Sequence, residues 1–430
     1  MSVSVEPGLA SSHREDVHSV VFVENGGNVS LSSRCIADNV GSSRLEHAGE
    51  RVVINLSRLI MGTLGMMGIV AAFPSGAGTP DPHAILADYG KIVSVNGIDE
   101  ANAVEIGGIQ QWITVRGRDR NNPILLVIHG GPAAPDLPDR YLYEPSWADY
   151  FTVVQWDQRG GGKTFELNDP VKVAPTMTKE RMIQDAQDVV AHLRTTYGKQ
   201  KIFVLGHSWG SLVGLSLAQR KPEWLYAYIG VGQIINMRAG EKSSYEWTLN
   251  EARKVGDQQA IKELTAIAPY PQTDGSVPLD KLGTERKWSI VFGGLIHGRK
   301  SYDTLENTEK ISPDYSETDF EAIDQGSAFT LPKLLPDLMS SDFTKVTKLG
   351  CPVLMFAGRY DYTTPSVLVK SWFDKVRAPS KRFVWFENSA HMIYEEEPGR
   401  FLVHLVQDAL PLAPARQLLK GTQSSVNGSP

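Results

Sequence analysis

Hydrophobic and polar positions follow two regimes along this chain. From about residue 97 the pattern is first β-type and then an alternation of strand and helix signals. Val104-Glu-Ile106 and Gln111-Trp-Ile-Thr-Val115, separated by Gly107-Gly108, predict an antiparallel hairpin. Pro123-Ile-Leu-Leu-Val-Ile128 and Phe151-Thr-Val-Val-Gln-Trp156 are apolar throughout rather than alternating, which marks strands covered on both faces. Over 178–194, Met182, Ala186, Val189, Val190 and Leu193 recur at three-to-four spacing behind a capping Thr178, which predicts a helix. A strand over 201–206, a helix over 209–220, strands over 226–231, 352–357 and 382–386, and a closing helix over 400–410 complete the series. Such alternation implies an α/β architecture, a mostly parallel sheet with helices on both faces.

Between 233 and 345 the alternation stops. Helical stretches there are punctuated by proline-rich turns such as Ala268-Pro-Tyr-Pro271, and an insertion of about 110 residues between two strands of one sheet predicts a helical cap. The expected organisation is an N-terminal extension over 1–80, a core over 81–232 and 346–415, the cap over 233–345 and a flexible tail over 416–430.

Composition narrows the function. The 430 residues are 41% hydrophobic and 21% charged, with a net charge of -6, so no basic stripe is available for phosphates and no nucleic-acid partner is expected. Cys35 and Cys351 are the two cysteines, too few for a disulfide scaffold or a cysteine-rich metal site; Cys351 opens an apolar run and reads as a buried thiol. No metal signature and no dinucleotide fingerprint is present, and no cofactor is expected. Residues 59–73 are uncharged, follow Arg51 and Arg58, and precede the small residues 75–78. Residues 51–78 therefore read either as a secretory signal, implying an exported or periplasmic protein, or as an amphipathic or buried helix of a cytoplasmic one.

The candidate chemistry lies at predicted strand ends. Gly206-His-Ser-Trp-Gly210 is a Gly-x-Ser-x-Gly sequence between a strand and a helix, the setting in which a tight turn projects a serine hydroxyl above a sheet. Ser208 is the candidate nucleophile. A serine needs an imidazole as base, itself oriented by a carboxylate, and in this architecture the chain order is serine, acid, histidine. Asp361 follows strand 352–357 and His391 follows strand 382–386. Oxyanion donors are expected at Trp209 N–H and, in the His129-Gly-Gly-Pro132 loop, at Gly131 N–H. His129 reads as a brace for that loop, His207 as the variable position of the elbow, and Asp374 with the acidic run 395–397 as solvated faces. His297, in the cap, is a candidate substrate contact.

In combination, His129-Gly-Gly-Pro132, Trp156-Asp-Gln-Arg-Gly-Gly-Gly-Lys-Thr164, Gly206-His-Ser-Trp-Gly-Ser211, Gly358-Arg-Tyr-Asp361 and Ala390-His391 resemble the proline iminopeptidase branch of the α/β-hydrolases over about residues 100–410. The resemblance implies the α/β-hydrolase fold, the triad Ser208, Asp361 and His391, and loop-bracing roles for Asp157 and Arg159. Two positions depart from the family pattern. Ala133 stands where another glycine is usual, and of the cap acids that would hold a free amino terminus only Glu246 and Glu251 are obvious candidates.

The expectation is a serine hydrolase cleaving a small ester or amide, a small molecule or short peptide, through an acyl-enzyme. The alternative is a carboxylesterase or lactonase for a hydrophobic metabolite, seated against Trp247, Tyr270, Trp288 and Phe292, residues that read equally well as core. A non-catalytic binding protein on the same fold is the third reading. The sequence sets no oligomeric state.

Overall fold

The computed structural model describes residues 80–414 together with two short strands, Phe22–Val23 and Val29–Ser30, that pair antiparallel. That pair belongs to a separate unit, Met1–Pro74, and everything below concerns the unit that begins at Ser75. The signal-like residues 51–78, Cys35 and the tail 416–430 lie outside the described residues. Among the described residues no helix is long and apolar enough to cross a membrane.

Eight strands make one sheet: β1 (Ile98–Ile106), β2 (Ile109–Gly117), β3 (Ile124–Ile128), β4 (Thr152–Trp156), β5 (Ile202–His207), β6 (Leu225–Val231), β7 (Val353–Gly358) and β8 (Lys381–Phe386). Their order is β1-β2-β4-β3-β5-β6-β7-β8. β2 runs antiparallel to β1 and β4, and the remaining neighbours are parallel. Ile124, Leu125, Leu126, Val127 and Ile128 are all buried, as their unbroken apolarity predicts. Each such side chain contributes roughly 1.5–3 kcal/mol of burial. β3 is followed by β4 on one side and flanked by β5 on the other. The carboxyl ends of β3 and β5 therefore meet at a topological switch point, where this class of sheet opens a crevice.

Helices α1 (Gly162–Glu166), α2 (Lys179–Thr196) and α3 (Trp209–Arg220) follow β4 and β5. α2 buries the predicted stripe of Met182, Ala186, Val189, Val190 and Leu193, and Thr178 Oγ1 accepts from Arg181 N–H at 3.2 Å. α3 is buried on nearly every face, as befits a helix enclosed by the sheet and its neighbours. The buried Cys351 thiol is pushed up to about 11 by desolvation.

Between β6 and β7 stand α4 (Met237–Val255), α5 (Gln258–Ala266), α6 (Leu279–Val291), α7 (Asp303–Glu309) and α8 (Glu317–Met339). Inside this insertion Arg286 bridges the buried carboxylates of Glu241 and Glu285, and α8 packs on α1. At the C-terminal end, α9 (Ser366–Lys375) precedes α10 (Pro398–His404), after which the chain widens into a π turn, Leu405–Ala409. The closing helix thus begins before 400, because Pro398 suits a first helical position, and is shorter than predicted.

Candidate active site

The turn from β5 into α3 puts Ser208 at φ 52°, ψ -120°, a region that non-glycine residues avoid. Its N–H donates to Val231 O at 3.0 Å, which ties the turn to the neighbouring strand. Gly210 is required by space: a Cβ there would lie 1.9 Å from Ile128 O, so α3 starts directly against the end of β3. Trp209 N–H, at the first position of α3, has no helical carbonyl to pair with.

Asp361 and His391 stand on the loops that leave β7 and β8. These loops touch closely enough that a Cβ on Gly358 would come 1.8 Å from Ala390 O. Asp361 Oδ2 lies 2.9 Å from His391 Nδ1 and accepts from Thr364 Oγ1 at 2.9 Å, while Oδ1 accepts from Thr364 N–H at 2.8 Å. Both side chains are buried. His391 N–H donates to Leu295 O of the insertion at 2.9 Å, and Ala390 N–H donates to Glu396 at 2.9 Å.

The acidic run 395–397 is therefore no solvated face. Glu397 also accepts from Ser389 Oγ, and Glu395 turns into the cavity described below. These acids follow His391 on a short helical turn, Ile393–Glu396, that folds back beneath the histidine loop. Burial pushes Glu396 up to about 7.

The loop after β3 is braced as expected. His129 Nε2 accepts from Gln158 N–H at 3.1 Å, leaving Nδ1–H to donate to Gly130 O at 2.9 Å, and burial holds the ring's pKa down at about 4. Gln158 Oε1 accepts from the Trp209 indole at 3.1 Å, joining this loop to the elbow. Asp157 accepts from Lys163 N–H and Tyr315 O–H, and Arg159 forms a fully buried ion pair with Asp185 at 2.7 Å. Ala133, in the position where the family pattern has glycine, sits at φ 64°, the left-handed region.

Ser208, His391, Gly130 and Gly131 open on one cavity of about 850 Å³, roofed by α7, α8 and the segment around Leu295. Its wall is strongly acidic: Asp136, Asp139, Glu306, Glu309, Glu317, Glu321, Asp324 and Glu395 line it, against the one lysine Lys310. Among them Asp139 and Glu309 are a pair whose carboxyls share a hydrogen bond, with Tyr302 O–H donating to Glu309 at 3.0 Å and Thr308 Oγ1 to Asp139 at 3.3 Å. Burial is the largest cause that pushes Asp139, Glu309 and Glu395 upward, and a hydrogen bond between the Asp139 and Glu309 carboxyls needs a proton on one of them. Among the described residues no group of three or more His, Cys, Asp or Glu is placed to hold a metal ion.

Three sequence candidates are not brought to this cavity. Glu246 is exposed on α4 and ion-paired with Lys242, and Glu251 pairs with Lys254 at 3.2 Å. His297 is exposed, stacks on Tyr360 at 3.7 Å, and faces a separate, smaller cleft. The periodicity of α4 explains Glu246: its buried stripe runs through Glu241, Ser244, Tyr245 and Thr248, which turns 246 outward, while Glu251 borders that stripe on a helix that contributes no residue to the cavity. The acids that do line the cavity come from the loop after β3, from α7 and α8, and from the turn after His391. No motif links those segments along the chain.

A family model described as the alpha/beta hydrolase fold matches residues 123–398. The chain is 28% identical to the probable aminopeptidase YbaC of Bacillus subtilis over 69% of its own length and 92% of that protein's. To a proline iminopeptidase of Heyndrickxia coagulans it is 25% identical over 65% of its length and 87% of that protein's. A crystal structure of a proline iminopeptidase-related protein from Thermus thermophilus superposes with a TM-score of 0.52 at 19% identity, covering 74% of this chain and all of that one.

Proposed function

The chain belongs to the alpha/beta hydrolase fold family, and from that premise we propose that it is a serine aminopeptidase, releasing an N-terminal residue from a short peptide or small amide. The observation that carries this reading is the acid-lined cavity beside Ser208. A pocket lined by eight acidic side chains and one lysine, with a negative charge kept on the Asp139–Glu309 pair, suits a cationic group, and a free amino terminus supplies one. The relatives named aminopeptidase and proline iminopeptidase support the same substrate class. The aromatic seat expected for a hydrophobic metabolite is not at this cavity. Trp247 is stacked on Tyr362 at 3.9 Å, Tyr270 and Trp288 are buried in the insertion, and none of them lines the cavity.

In the proposed mechanism the α-ammonium of the substrate is held by the Asp139–Glu309 pair, which sets the scissile carbonyl over Ser208. His391 takes the serine proton as Oγ attacks, and Asp361 holds the imidazole with Nδ1–H turned toward itself. Trp209 N–H and Gly131 N–H receive the developing oxyanion. His391 then gives the proton to the leaving amine, whose C–N bond breaks to leave an acyl-enzyme. Water, deprotonated by the same imidazole, releases the amino acid and restores Ser208.

The test compares an N-terminal-proline arylamide with its N-acylated form and with a simple aryl ester, alongside labelling by a fluorophosphonate probe. Labelling at Ser208 and a strong preference for the free amine are expected. Equal or faster turnover of the N-acylated arylamide would overturn the aminopeptidase assignment, and a protein that the probe does not label is no serine hydrolase.

A further inference from the structure

A line of polar atoms joins the cavity to the main chain of His391. His207, between the elbow glycine and the nucleophile, lies 3.2 Å from His391 O through Nε2 and 2.9 Å from the Tyr394 hydroxyl through Nδ1. The same hydroxyl lies 2.9 Å from Asp136 Oδ2. His207 and Tyr394 are buried, and the His207 ring packs against the His391 ring with centroids 4.8 Å apart.

Three contacts in series need three protons. A neutral imidazole brings one and a phenol brings one. Since the His391 carbonyl only accepts, His207 must carry its proton on Nε2, so Nδ1 must accept from Tyr394. The Tyr394 oxygen must then accept from Asp136, and the third proton sits on that carboxyl. Were Asp136 ionised, it would draw the Tyr394 proton to itself and pull the His207 proton to Nδ1. A bare Nε2 lone pair would then face a carbonyl oxygen. Position 207 is therefore more than the variable residue of the elbow.

We propose that His207 is a positioning residue for His391, held in its Nε2–H form by a proton on Asp136 relayed through Tyr394, so that ionisation of Asp136 loosens the catalytic imidazole. The inference rests on the reading of Ser208, Asp361 and His391 as a triad. Desolvation, the largest influence on Asp136, pushes it up to about 7, while burial and the nearby His391 hold His207 well below its ordinary value, so the carboxyl rather than the ring keeps the extra proton. Of the groups that face Asp136, Glu309 on α7 and Asp157 oppose its ionisation, while the Tyr394 hydroxyl favours it through the hydrogen bond it can give to a carboxylate. Tyr143 O–H donates to the Asp136 main-chain oxygen at 3.2 Å, and His391 favours ionisation only when itself charged. As pH rises through about 7 the proton leaves, and turnover falls on a limb opposite to the one set by His391 itself.

The experiment measures the rate of fluorophosphonate labelling at Ser208 and kcat on an aryl acetate from pH 5.5 to 9, in the full chain and in two near-isosteric variants. An aryl acetate carries no amine, so affinity at the acid pair does not enter. The wild type is expected to lose roughly tenfold between its optimum and the alkaline end, the worth of one buried hydrogen bond to the imidazole segment. In Asp136→Asn the amide is a permanent donor to Tyr394 and the alkaline limb disappears. In Tyr394→Phe the relay is cut, and the rate is low at every pH with no alkaline limb. An Asp136→Asn protein that labels with the wild-type alkaline limb at the same pH would overturn the inference while leaving the triad standing. Failure of the wild type to label at all would instead remove the triad reading, and this inference with it.

Discussion

The Asp139–Glu309 pair makes a prediction that depends on its sharing one proton. A hydrogen bond between two carboxyls needs one proton, which leaves the pair a single negative charge. Asp139→Asn leaves Glu309 ionised and hydrogen-bonded by the new amide, and Glu309→Gln lets Asp139 ionise in its place. Each single variant therefore keeps the charge that the substrate ammonium meets, and only the double variant loses it. An ammonium about 4 Å from a carboxylate at an effective dielectric of about 20 gains about 4 kcal/mol. Desolvation of both ions offsets part of this, and a net 1.5–3 kcal/mol is the usual worth of a hydrogen bond to a charged group. The assay is KM and kcat on a proline arylamide at pH 7, where an α-amino group is largely charged, with an aryl acetate as control. KM should rise less than about threefold in each single variant and roughly tenfold to a hundredfold in the double. Because neither carboxyl touches the reacting atoms, kcat and the rate on the acetate should change by no more than the few-fold that a lowered proton affinity at Asp136 allows. A single variant that loses as much as the double, or an equal loss on the acetate, would refute the shared-charge account.

The remaining predictions concern the triad, the same acid pair in stability, and the close loops. Ser208→Ala should lower turnover by on the order of 10^6 and Asp361→Asn by roughly 10^4, the latter because an amide facing Nδ1 favours the wrong imidazole tautomer; an active Ser208→Ala enzyme in a steady-state assay ends the assignment. Asp139 is raised in the folded protein, so the native state holds a proton that the unfolded chain has released, and stability from this group falls as pH rises above the ordinary carboxylate range. Asp139→Asn should therefore gain on the wild type in urea midpoint as pH is raised from 5 to 8, by up to about 1.4 kcal/mol per pH unit, and a difference independent of pH would contradict this. Gly358→Ala places a methyl 1.8 Å from Ala390 O, which displaces the His391 loop; near-normal kcat with an unchanged melting temperature would show that the two loops are not in the contact described.

How much of this was legible in the sequence follows from how each feature is encoded. The strands β3 to β8, the helices α2 and α3, and the turn at Ser208 depend on local periodicity and on residues a few positions apart. Ile124–Ile128 could only be a strand covered on both sides, and Gly206-His-Ser-Trp-Gly210 is a self-contained turn. Chain order then pointed to Asp361 and His391 as the proposed partners of Ser208, because each follows a strand of the same parallel sheet and all parallel carboxyl ends face one way. The acid-lined cavity is different in kind. Asp136 and Asp139 come from the loop after β3, Glu309 from α7, and Glu395 from the turn after His391. Their raised proton affinities arise from burial beside one another, which no single segment shows. The same reason misdirected the choice of Glu246 and Glu251, which have the right charge on a helix whose buried face points elsewhere. Local patterning determined the sheet and where its chemistry stands; the packing of the insertion over those strand ends alone decided which carboxylates share the serine's cavity, because desolvation and charge proximity are properties of assembled surfaces.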